Sequence, residues 1–186
     1  MASKDILILS KIFSSNAPGR VEKFTRRINY LAKSEWNVHL LTPNEPGYNF
    51  QSQMNDIDDS VSITISTLPS TSIRSKYYSE VYEDNMENKT SHSSNSTLSP
   101  ITASVSDSLL PLVQKIKPWI CIPDSWVDWI PTGLKDAHSI ISQNDIDVIF
   151  TSCYPFTSHL VGLQLNNEYD IPWITEFRDP WVNNPL

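Results

Sequence analysis

Short apolar runs with no polar interruption constrain this chain more than any other feature. In Asp5-Ile-Leu-Ile-Leu-Ser10 and Asp147-Val-Ile-Phe-Thr-Ser152, apolar side chains follow one another without alternation. A strand with one wet face would alternate, so such runs belong to strands buried on both faces, as in a parallel sheet covered by helices. The first run is expected to be the central strand. The segment 20–33 places Val21, Phe24, Ile28 and Leu31 at spacings of three and four, an amphipathic helix whose other side carries Lys23, Arg26, Arg27 and Lys33. A second strand over 36–42 closes a βαβ unit, whose crossover should be right-handed. The segment 61–66 alternates apolar with polar and reads as a strand nearer the sheet edge. Helices are expected over 109–116, 132–143 and 157–167, with an extended segment at 119–124 and a last strand at 171–175. Strand and helix alternate throughout, which implies an α/β fold: a Rossmann-like, doubly wound parallel sheet with helices on both faces.

At 186 residues the chain suits one compact α/β domain and is short for an enzyme that closes two domains over its substrate. The domain is expected to span 1–186, with a Ser/Thr/Asn-rich insertion at about 69–106 that is partly disordered and in which Tyr77, Tyr78 and Tyr82 form a short helix. A net charge of -7 argues against nucleic acid as a partner, because neutralising phosphates needs a basic face. Cys121 and Cys153 have no His or Cys at metal-ligand spacing and read as buried thiols, so no metal and no cofactor is expected. No stretch reaches the ~20 apolar residues that span a bilayer, and the expected location is cytoplasmic.

Three constellations could carry chemistry. The loop after the first strand contains Asn16, Gly19 and Arg20, and would bring the amides of a helix N-terminus to the crevice end of the central strand. A Pro-Gly turn that merely starts a helix accounts for it equally well. His159 falls in the first turn after a strand's carboxyl end, where an imidazole could bond a sugar hydroxyl or a leaving group; a satisfied structural histidine is the plainer alternative. His39, His92 and His138 read as structural. The third constellation is Glu176-Phe-Arg-Asp179, stiffened by Pro180 and followed by Trp181. Arg178 and Asp179 either face a polar substrate or pair with each other and cap nearby backbone.

Taken in order, Ile6-Leu-Ile-Leu-Ser-Lys-Ile-Phe13 with Asn16-Ala-Pro-Gly-Arg20, Leu31-Ala-Lys-Ser-Glu-Trp-Asn-Val-His-Leu-Leu-Thr-Pro43, the run from Asp147 to His159 and the run from Ile171 to Trp181 resemble the N-terminal domain of a glycosyltransferase of GT-B fold. The resemblance is to the retaining, family-four type, often labelled group one. It implies an acceptor-side domain facing a second domain that holds a nucleotide-sugar donor, with a sugar or lipid-linked acceptor as the other partner. By the same resemblance His159 is the catalytic candidate, approaching the transferred sugar, while Asn16, Gly19, Arg20, Arg178 and Asp179 are substrate-binding. The family's first loop carries two adjacent glycines where this chain has Gly19 alone. Its donor-gripping carboxylates belong to the C-terminal domain, which these residues do not include, so the chain by itself is expected to transfer little or no sugar. The family also implies peripheral contact with the inner face of a membrane, for which the basic side of the first helix is the local feature. The competing expectation is a non-catalytic binding or interaction module of the same fold. A nicotinamide-dependent oxidoreductase is disfavoured by the missing G-x-G-x-x-G.

Overall fold

The structure is a computed structural model. It describes residues 3–11, 18–44, 54–69, 122–153 and 155–178, with Pro18, Gly19 and Arg20 described by their backbone alone. The expectations for 70–106, for the helix at 109–116, and for Asn16, Cys121, Asp179 and Trp181 lie outside the described residues.

The elements run β1 (Lys4–Leu9), α1 (Pro18–Lys33), β2 (Trp36–Pro43), β3 (Ser62–Ser66), a 3-10 turn at Val127–Trp129, α2 (Ile130–Gln143), β4 (Ile146–Ser152), α3 (Thr157–Tyr169) and β5 (Trp173–Glu176). They form a sheet ordered β3-β2-β1-β4-β5, with every pairing parallel. The first apolar run is the central strand, as its lack of alternation required, and β3 is an edge strand, as its alternation required. Strand and helix bounds fall within two or three residues of the expected ones.

Period-two geometry divides the core between two faces. On one, Ile6 and Ile8 of β1 meet Val21, Phe24 and Ile28 of α1, together with Val38 and Leu40 of β2. On the other, Leu7, Leu9 and Leu41 meet Trp129, Ala137 of α2, Ile149, and Val161 and Leu165 of α3. Leu7, Leu9, Leu40 and Ile149 are fully enclosed; each contributes about 1.5–3 kcal/mol by leaving water, which explains why β1 can carry no polar side chain along its middle.

The chain order also creates a crevice. From β1 the chain steps outward to β2 and β3, then returns to β4 on the other side of β1 and steps outward to β5. The helices that follow β1 and β4 pack on opposite faces of the sheet, and such a switch point is where open α/β sheets bind ligands. Among the described residues, no helix is long and apolar enough to cross a membrane.

Candidate functional site at the carboxyl edge of the sheet

Nearly all of the buried polar side chains collect along one edge. Ser10 follows β1, Thr42 lies near the end of β2, Ser66 ends β3, Thr151 and Ser152 end β4, and Thr157, Ser158 and His159 open α3; each is buried. The strands thus change from apolar to hydroxyl-bearing where they meet the crevice. Among the described residues the buried side-chain atoms Thr42 Oγ1, Ser66 Oγ, Ser158 Oγ and His159 Nε2 have no hydrogen-bond partner. A buried polar atom left unpaired costs roughly 1–3 kcal/mol, so this edge is where stability is given up.

His159 is only 4% exposed. Its Nδ1 lies 2.6 Å from Thr151 Oγ1, and the same oxygen accepts a hydrogen bond from Trp173 Nε1 at 3.0 Å. A hydroxyl that accepts from the indole still has its own proton to give, and giving it to Nδ1 leaves the imidazole hydrogen on Nε2. The ring clusters with Phe177, 4.5 Å away centroid to centroid, and Phe156 at 6.4 Å, the two phenyl rings being 6.5 Å from each other. Burial pushes the imidazole below its ordinary value of 6.5, against a smaller upward pull from the Asp124 carboxylate, so the side chain is neutral at pH 7.

Close approach of α3 to the sheet depends on Gly162, one turn after His159. A Cβ there would stand 2.5 Å from Thr151 Cγ2 and 2.7 Å from Trp173 Nε1, well inside van der Waals contact. The start of α3 is capped from a distance. Its flanking residue Phe156 offers no cap, and Asp124 does so instead. Asp124 Oδ2 accepts from the Thr157 N–H at 3.0 Å, and Oδ1 accepts from the Thr157 hydroxyl at 2.7 Å and the Trp126 N–H at 2.8 Å. The positive end of this helix, a ready anion site in principle, is therefore already filled by the protein's own carboxylate.

At the other end of the crevice Glu176 joins three elements. Its Oε1 accepts from Arg27 of α1 at 2.7 Å and its Oε2 accepts from the Ser152 hydroxyl at 2.6 Å, with Arg178 Nε at 3.4 Å. Burial alone would raise this carboxyl, yet the Ser152 hydroxyl and the charges of Arg27 and Arg178 outweigh it and hold it below the ordinary carboxylate value. Arg178 lies with its guanidinium carbon 5.1 Å from the centre of the Phe24 ring, and its backbone N–H donates to Cys153 Sγ at 3.1 Å. Cys153 is a buried free thiol, as expected. Lys11, just past β1, holds its Nζ 4.9 Å from the Trp126 ring.

Of the residues singled out from sequence, His159 and Arg178 stand on this edge. Gly19 does too, because it is the second residue of α1 and that helix starts where β1 ends. Arg20 shares the same first turn, although its side chain is not described. Three of the four basic residues on α1's outer side divide between roles: Arg26 pairs with Glu22, Arg27 with Glu176, and Lys23 remains on the exposed side. Trp173 is half-buried against the core and supplies the indole donor to Thr151. The roles of Thr151, Asp124 and Glu176 escaped the sequence reading. One signal was present, since the apolar run of each of the five strands ends in Ser or Thr (Ser10, Thr42, Ser66, Thr151 with Ser152, Thr175); the distant cap by Asp124 left none.

Comparison with protein-family models, curated proteins and solved structures returned no match.

A shallow cavity of about 170 Å³ lies away from this edge, between α2 and the β2–β3 side of the sheet, and is lined in part by His39, Thr64 and Asp136. His39 Nε2 is already held by Asp5 Oδ1 at 2.8 Å, and Asn37 donates to the other Asp5 oxygen at 3.0 Å. This arrangement ties β1 to β2, in keeping with the structural role expected of His39.

Proposed function

We propose that this chain is the acceptor-side half of a retaining glycosyltransferase, which works with a donor-binding domain to move a sugar from a nucleotide-sugar to an acceptor. The observation that carries the reading is the gathering of buried polar side chains, four of them with an atom unpaired among the described residues, on the switch-point edge that also holds Gly19, His159 and Arg178. Sugars are recognised through many hydroxyls, and an edge rich in neutral hydrogen-bonding groups suits them.

In this reading His159 orients the sugar. A neutral imidazole with an uncommitted Nε2 can bond a hydroxyl without placing a fixed charge beside the reacting carbon. Thr151 and Trp173 hold the ring so that little reorganisation is needed as the bond to the leaving group lengthens. The amides of the first turn of α1 start at Gly19, since Pro18 has no N–H, and have no partner within the helix; with Arg20 they would stabilise the negative charge that develops on a departing diphosphate.

A second reading, a non-catalytic interaction module, is favoured by the exposed Phe177 and Ile174 beside the crevice, at 49% and 53%. The two separate by a single measurement. In a chain with labelled histidines, UDP-glucose, GDP-mannose and free hexoses are titrated while the His159 ring signals are followed by NMR. Saturable shifts at His159 that disappear in His159→Ala support the sugar reading. Histidine signals that ignore every member of the panel would end it, as would an unchanged transfer rate for His159→Ala in a two-domain enzyme.

A further inference from the structure

We propose that Arg178 is a built anion fork, so that the ligand entering the crevice carries a phosphate or carboxylate at that end. The inference rests on the crevice being the ligand site, and adds the chemical class of the group bound there.

Four observations support it. The guanidinium lies against Phe24 of α1 at 5.1 Å, a rigid platform. Its backbone is tied twice to Cys153, because the Arg178 N–H donates to Cys153 Sγ and the Glu176 carbonyl accepts from the Cys153 N–H at 3.2 Å. Glu176 does not neutralise it, because its oxygens are taken at shorter range by Arg27 and Ser152 and only the long 3.4 Å contact to Nε remains. Both Nη groups of Arg178 are then without a partner among the described residues. Among the described residues the two guanidinium groups of Arg27 and Arg178 share the single Glu176 carboxylate.

The α3 N-terminus cannot serve the same purpose, since Asp124 fills it. A planar fork with two parallel N–H donors suits the paired oxygens of a phosphate or carboxylate, and its fixed plane reduces the entropy lost on binding.

The test uses the whole chain, with inorganic pyrophosphate and malonate as separate probes at low ionic strength. Binding is read by calorimetry and by the Arg178 Nε–H signal in NMR. Saturable binding of either probe that shifts this signal is expected; pyrophosphate alone identifies a phosphate-bearing ligand, and malonate alone a carboxylate. Arg178→Gln should weaken binding about tenfold or more, and Arg178→Lys should recover only part of it because a lysine has no fork. No change in affinity for Arg178→Gln in a variant with native circular dichroism would overturn the proposal, as would a lack of saturable binding by both probes. Anion binding at Arg178 with no response of His159 to sugars leaves the fork standing and removes the glycosyltransferase reading. Sugar shifts at His159 with neither anion touching Arg178 do the reverse.

Discussion

Replacing Gly162 with alanine tests whether α3 is seated as tightly as the site requires. The new Cβ would lie 2.5 Å from Thr151 Cγ2, 2.7 Å from Trp173 Nε1 and 3.1 Å from Trp173 Cε2. Ordinary carbon contacts sit at about 3.5–4.0 Å, so the methyl intrudes by roughly 1 Å. Neither neighbour yields easily. Thr151 is β-branched, and its Oγ1 holds both His159 and Trp173; Trp173 follows Pro172, whose carbonyl accepts from the Ile149 N–H at 2.9 Å. The helix must lift instead. Overpacking of this kind costs about 1–3 kcal/mol, and straining the Trp173–Thr151 bond adds about 0.5–1.5 kcal/mol. Against this, alanine in a helix interior gains about 1 kcal/mol over glycine. The expected outcome is a net loss of about 1–3 kcal/mol, read as a lower midpoint in urea with the slope unchanged, by tryptophan fluorescence and far-UV circular dichroism. The His159 ring signals should move as well. A variant about 1 kcal/mol more stable than wild type would mean that helix propensity alone governs the position, and would refute the packing argument.

Two further predictions follow from the same edge. Asp124→Ala removes the distant cap of α3 and should cost about 1–2 kcal/mol in denaturant unfolding, while Asp124→Asn should move the His159 titration further down in NMR, because the carboxylate charge is what opposes burial there; an unmoved or rising titration contradicts this. Stability should also depend on pH through His159. Its folded value lies below 6.5, so between those two values the unfolded chain binds the extra proton, and stability present above 6.5 is lost as pH falls toward the folded value. Subtracting the urea midpoints of His159→Gln from those of wild type across pH 4 to 7.5 should isolate that slope, and a flat difference curve would count against a buried neutral imidazole.

How much of this was legible beforehand varies with the kind of interaction. The unbroken run in β1 and the three-and-four spacing of α1 are repetitive signals, and repetition survives without knowledge of the fold. The first turn of α3 was harder. Its sequence Thr157-Ser-His159 looks like an exposed polar start, yet all three residues are buried because Gly162 lets the helix sink onto Thr151 and Trp173. Leu163, as apolar as the buried Val161 and Leu165 of the same helix, is 43% exposed.

The amino-acid order by itself determined the layering of this protein, because hydrophobic burial is local in period and each strand or helix announces which face it hides. Tertiary structure alone decided the chemistry of the edge. Asp124 reaches Thr157 across 33 positions and Arg27 reaches Glu176 across 149. Hydrogen bonds and ion pairs are directional and short-ranged, so their partners are chosen by where the folded chain places them and not by any spacing along it.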